Sequence, residues 1–195
     1  MIPEGPALWY LNRSTGLVLL ALFSLTLLLG VLAHRGDAGT RVPRFAVQAL
    51  HRNLALLSTV MLALHIASAV LDEYVDIRWW QSVIPWNLDY EPWWLALGIL
   101  ASNLAIAVVV TSLIRERLPH RLWLVLHLGT YPAWAISVAH GLGIGTDTGA
   151  GWATAVYLGC AAVVSLAMLV RFLPTRGRRT RSAAAPSDSL TEMLR

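Results

Sequence analysis

Five long apolar runs, at roughly residues 14–33, 52–71, 93–114, 122–143 and 152–173, constrain this chain more than any other feature. Each approaches the ~20 residues that a helix needs to cross a bilayer core of about 30 Å. In lipid only helices and closed barrels satisfy every backbone group, and runs of this length are too long for barrel strands. The expected fold is therefore all-α, a polytopic membrane helical bundle with five transmembrane helices filling residues 1–173. A soluble bundle of buried helices is excluded by composition. Only 13% of residues are charged, where a soluble domain carries about a quarter, so too few polar faces exist to coat one. The first run opens after a polar "LNRSTG" and exceeds a signal-peptide core, so it is expected as a mature helix.

Charge gives the expected orientation. All 15 basic residues are arginines. Arg35, Arg41, Arg44 and Arg52 lie between the first two runs, and Arg115, Arg117 and Arg121 between the third and fourth. Six more lie from Arg171 to Arg195, which leaves only Arg13 and Arg78 for the other side of a five-span chain. By the positive-inside rule the arginine side is cytoplasmic, so the N-terminus is expected outside and the C-terminus inside a cell (plasma) membrane. The pI of 9.8 is then a consequence of topology, and no nucleic-acid partner is invoked. The outer segment "DEYVDIRWWQSVIPWNLDYEPWW" mixes acids with five tryptophans, the composition of a loop folded onto the membrane–water interface. A docking surface for an electron acceptor is the alternative reading. Residues 174–195, rich in Pro, Ser and Arg, are expected to be a disordered basic cytoplasmic tail. The single cysteine, Cys160, excludes a disulfide framework, and with no C-x-x-C-H any haem would be held non-covalently.

Histidines inside the apolar runs carry the chemistry. "LHRNLALLSTVMLALH" places His51 and His65 fourteen residues apart, and "HLGTYPAWAISVAH" places His127 and His140 thirteen apart. Fourteen residues advance a helix about 21 Å and return to within ~40° of the starting face. Helices two and four run in the same direction, so His51 comes level with His127 and His65 with His140. Two cross-helix imidazole pairs at two depths are the arrangement of a di-haem cytochrome b, each pair giving one iron both axial ligands. A single intramembrane histidine is often just a helix–helix hydrogen-bond donor, but four at matched depths point to bound metal. Zinc fits less well, because the pairs are too far apart to share one ion and no Cys or carboxylate joins either. His34 and His120 fall at the helix ends, where a solvated role is expected. One difficulty is phase: thirteen residues leave His140 about 140° off the face of His127. Pro132 and Gly129 between them offer a place for rewinding. In helix one, Gly16 and Gly30 are also fourteen apart and fall at the outer and inner haem depths. Small residues there suit a macrocycle passing the backbone, or ordinary close packing.

With these spacings, and with "WYLNRSTGLVLL" opening the first helix, the sequence resembles the ferric reductase-like transmembrane family over residues 9–172. That family includes the haem domains of NADPH oxidases and ferric reductases, and the opening phrase is similar to its small actinobacterial members. The resemblance implies two b-type haems, His51 with His127 inside and His65 with His140 outside. It implies electron flow from a cytoplasmic donor to an external acceptor such as a ferric chelate, oxygen or a redox protein. It also implies a role for Arg13 beside the outer haem, where a guanidinium forks onto a propionate or an incoming anion. Tyr131 and Trp134 match the place of a family aromatic between the haems. The oxidases and fungal reductases append a flavin- and NADPH-binding region. The short stretch after Leu173 leaves no room for one, so FAD or FMN is expected only on a separate flavoprotein, with membrane quinol as the other donor. Ala69 stands where superoxide-producing members carry a further histidine, which argues against dedicated superoxide production. Neighbouring readings are a quinol-linked cytochrome b and the haem subunit of a periplasmic methionine-sulfoxide reductase system. A haem or metal transporter is the rival of another class. It would need polar, water-lined residues between the sites, where this sequence has mostly Leu, Val and Ala.

Overall fold

The computed structural model describes residues 6–35, 43–73 and 75–172. The tail beyond Phe172, with its expected disorder and its five arginines, lies outside the described residues. Among the described residues, six α-helices follow in order: α1 Pro6–Arg35, α2 Arg44–Leu71, α3 Pro92–Leu113, α4 His120–Leu128, α5 Thr130–Ile144 and α6 Gly151–Phe172. Among the described residues, five helical stretches are long and apolar enough to cross a membrane, α4 and α5 together making one of them. The all-helical, five-span expectation is met.

Helix ends depart from the apolar runs for a simple reason. Hydropathy stops at the first polar residues, but a helix does not, so α1 begins near Pro6 and α2 at Arg44, each well before its run. Pro6 is tolerated in a first turn because its missing N–H has no intrahelical partner there. The fourth span, expected as one helix over 122–143, is instead broken. At Gly129 the N–H turns back to the carbonyl of Leu126 at 3.0 Å, three residues earlier instead of four. Three residues on, Pro132 has no N–H to offer the carbonyl of Leu128.

Two antiparallel hairpins form the body: α1 packs along α2, and α3 along α5 with α4 at its end. Helix α6 closes the bundle against α1, which is also touched by α5. Ala153, Cys160 and Ala167, seven residues apart, are all buried on α6, the small-residue seam that lets membrane helices approach closely. Val31 and Ser24 are fully buried on α1, the central helix. The large side chains turn outward: Leu56, Leu57, Val60 and Leu64 of α2 are exposed, as lipid-facing residues are. Helices α2 and α4–α5, which carry the paired histidines, pack chiefly on α1 and α3 rather than on each other. A slot is thereby left between them.

The long loop before α3 is folded, not loose. Buried Gln81 accepts the N–H of Arg78 at 2.8 Å and donates to the carbonyl of Asn87 at 2.7 Å. Asn103 of α3 ties the loop down through the carbonyl of Val83 at 2.8 Å. Trp79 and Trp86 stand outward from it, as does Trp93 in the first turn of α3, each more than 70% exposed.

Candidate functional site

His51 and His65 both project from α2, and the break in span four brings His127 of α4 and His140 of α5 opposite them. The ring centres of His51 and His127 are 6.3 Å apart, and those of His65 and His140 are 6.4 Å apart. The phase difficulty is resolved at Gly129 and Pro132, where the backbone shifts from one helical ladder to another. The depth matching read from the spacing is the pairing found.

Each imidazole is held from behind. Nδ1 of His51 lies 2.9 Å from the carbonyl of Thr26, Nδ1 of His65 3.1 Å from that of Asn12, and Nδ1 of His140 2.8 Å from that of Trp94. A carbonyl only accepts, so the proton of these three rings sits on Nδ1 and the lone pair on Nε2. That is how metal-binding histidines are oriented by their surroundings. His127 differs, with Nδ1 3.3 Å from the hydroxyl of Ser112. Asn12 clamps twice, because its side-chain amide also donates to the carbonyl of His65 at 2.9 Å and to Ser68 Oγ at 3.2 Å.

The gap between paired rings has the size of one ion. A ligating imidazole nitrogen stands about 2.0–2.1 Å from its metal and the ring centre about 1.2 Å further, so two rings facing across one ion are separated by roughly 6.4 Å. Among the described residues no three His, Cys, Asp or Glu side chains gather to hold a metal. Each site offers two protein ligands, the number that suits a metal whose remaining ligands come from a macrocycle. The slot between α2 and α4–α5 is where such a plate would lie.

Small residues on α1 and α3 make the arrangement possible. A Cβ added at Gly16 would stand 3.1 Å from Cε1 of His65, one at Gly30 3.3 Å from Cε1 of His51, and one at Gly98 2.5 Å from Cε1 of His140. What meets these glycines is thus the histidine ring. In each case the carbonyl that takes Nδ1 belongs to the residue four earlier, Asn12, Thr26 or Trp94. A helical carbonyl points at the N–H four residues on, and with no side chain there its second lone pair is open to a ring approaching from the side. Gly98 and Ser112 are fourteen apart on α3, as Gly16 and Gly30 are on α1. The two hairpins are thus built alike, each with a ligand helix and a helix of small residues.

A cavity of ≈ 240 Å³ surrounds His65 and His140 and is lined also by Arg13, Ala69, Asp147 and Tyr157. Arg13 is ion-paired: its Nη2 lies 3.1 Å from Asp147 Oδ2 and its Nε donates to the same oxygen at 3.2 Å. Its guanidinium also stands 5.5 Å from the centre of the Trp9 ring. Trp134, between the two pairs in sequence, donates from Nε1 to Ser24 Oγ at 2.9 Å. Tyr131 lies instead beneath Arg171, whose guanidinium is 5.8 Å from its ring centre. Below the other pair, Trp123 stacks on His127 at 5.0 Å, and exposed His120 stacks on Trp123 at 5.7 Å. The indole N–H of Trp123 is buried with no acceptor among the described residues. His34 is exposed in the last turn of α1, away from both pairs.

Residues 15–138, well over half of the chain, match the family model of the ferric reductase like transmembrane component. The chain belongs to this family. The match takes in His51, His65 and His127 and stops just short of His140. Comparison with curated proteins and with solved structures gives no significant match. As a member of the ferric reductase-like family with five apolar spans, the protein is a multi-pass membrane protein. Sequence reasoning missed Gly98, Ser112, Asn12 and Asp147 as parts of the site. The signal for Gly98 and Ser112 was a fourteen-residue spacing of small residues in a helix without histidines, and α3 alone gave no reason to look for it.

Proposed function

We propose that the protein carries electrons across the membrane through two b-type haems, one held by His51 and His127 and the other by His65 and His140. The observation that carries this is the pair of ring separations, 6.3 and 6.4 Å, with Nδ1 of every ring already engaged. A haem held by each pair would supply one-electron exchange. The residues of the chain do the rest. Asn12, Thr26, Trp94 and Ser112 engage Nδ1 of the four rings and leave Nε2 of each for the metal. Gly16, Gly30 and Gly98 let those rings reach their backbone acceptors. The largely apolar side chains between the two levels keep water and ions from following the electron, and Trp134 is held there by Ser24. Arg13 stands beside the pair of His65 and His140, where it would meet a propionate or an incoming anion. The buried N–H of Trp123 is a donor suited to a carboxylate at the other level.

The arginine distribution supports an external N-terminus and a cytoplasmic C-terminus. The level of His51 and His127 then faces the cytoplasm, and a flavoprotein or quinol would deliver electrons there. An external acceptor takes them from the level of His65 and His140. The test is haem stoichiometry with low-temperature redox-difference spectra across single alanine variants of the six histidines. His51→Ala and His127→Ala should each lose the same haem, and His65→Ala and His140→Ala the other. His34→Ala and His120→Ala should retain both. Wild-type protein without haem would overturn the reading, and full haem content in His51→Ala or His140→Ala would overturn the pairing.

A further inference from the structure

Three of the four proposed iron ligands are anchored by a backbone carbonyl, and the fourth is not. At His127 the group that meets Nδ1 is the hydroxyl of Ser112, at 3.3 Å. Ser112 occupies the position where the like-built sites have Gly16, Gly30 and Gly98. The carbonyl four residues before it, that of Val108, already receives the hydroxyl of Thr111 at 3.1 Å. The side chain at 112 therefore both blocks the route to a carbonyl and supplies a substitute.

The substitute is chemically different. A carbonyl fixes the tautomer of the ring it meets, whereas a hydroxyl can donate or accept and does so more weakly in the accepting sense. The stronger the acceptor at Nδ1–H, the more electron density the imidazole passes to its metal, and the more the oxidised metal is favoured. We infer that Ser112 is a positioning residue that sets the reduction potential of the iron held by His51 and His127, through its hydrogen bond to Nδ1 of His127. The inference rests on the two-haem reading. It gives the two levels unequal ligand fields: two carbonyl-anchored rings at His65 and His140, and one carbonyl-anchored with one hydroxyl-anchored ring at His51 and His127.

The test is a redox titration of the purified, haem-loaded protein, repeated in the His140→Ala background so that only the iron of interest titrates. Ser112→Ala removes the acceptor and should move that midpoint to more positive potential. Ser112→Gly removes the obstruction as well; with the hydroxyl of Thr111 turned wholly to the carbonyl of Ala107, which it already reaches at 2.7 Å, the Val108 carbonyl can take Nδ1, and the midpoint should move to more negative potential. Ser112→Thr keeps the hydroxyl and should leave it in place. In the two-haem protein the other midpoint should stay fixed in all three variants. Equal midpoints for Ala, Gly and Thr with the haem retained would overturn the inference and leave the two-haem reading intact. Loss of that haem in Ala and Gly but not in Thr would make Ser112 a retention residue, which also overturns it. A wild type that binds no haem would overturn the reading beneath.

Discussion

Replacing Gly98 with alanine should release the haem proposed for His65 and His140 and leave the one proposed for His51 and His127 in place. The added Cβ would stand 2.5 Å from Cε1, 2.6 Å from Nδ1 and 2.9 Å from Nε2 of His140. Carbon contacts relax at about 3.5–4.0 Å, so the ring must retreat by roughly 1 Å. Its Nδ1 bond to the carbonyl of Trp94, now 2.8 Å, would open to roughly 3.8 Å, which is no longer a hydrogen bond. Overpacking of this kind costs about 1–3 kcal/mol, or roughly 5- to 150-fold in retention of the group that the ring binds. Intrinsic helix propensity acts in the opposite direction, since alanine favours a helix over glycine by about 1 kcal/mol. A loss therefore cannot come from a weakened α3. Gly16→Ala and Gly30→Ala set the scale: at 3.1 and 3.3 Å their rings need to give only a few tenths of an ångström, so retention should fall in the order Gly30, Gly16, Gly98. The assay is a pyridine-haemochrome count per polypeptide together with the low-temperature α-band. A Gly98→Ala protein with both haems and unchanged bands would refute the reasoning. So would loss of the haem assigned to His51 and His127.

Arg13 and Asp147 should respond with opposite sign. Asp147→Asn frees the guanidinium and should hold or improve retention of the haem at His65 and His140, whereas Arg13→Ala should weaken it, measured by competition with apo-myoglobin; equal effects would mean that the two residues only brace each other. Topology is checked by reporter fusions after Arg195 and within residues 80–90, with a cytoplasmic signal expected from the first and an external signal from the second.

Much of this protein was legible in its sequence because a bilayer leaves few choices. Lipid cannot hydrogen-bond a backbone, so an apolar run of about twenty residues is a helix wherever it later packs. Helical period then fixes which side chains share a face, and that is why His51 and His65 could be placed on one side of α2 and matched in depth with His127 and His140. Two things escaped. Positions on α3 escaped because Gly98 and Ser112 carry no chemistry of their own and matter only through the ring that comes to rest on them. Arg13 was singled out, but its tie to Asp147 crosses from α1 to the segment before α6, and no local pattern reports such a meeting.

Sequence alone determined the spans, the four ligand candidates and their two levels, because these follow from hydropathy and from rise per residue. Tertiary structure decided the facing of His140, through a break at Gly129 whose size no periodicity gives. It also decided the acceptor behind each ring. Which carbonyl a histidine reaches depends on which residue of another helix lacks a side chain at the point of contact, and contact between helices is settled only when they pack.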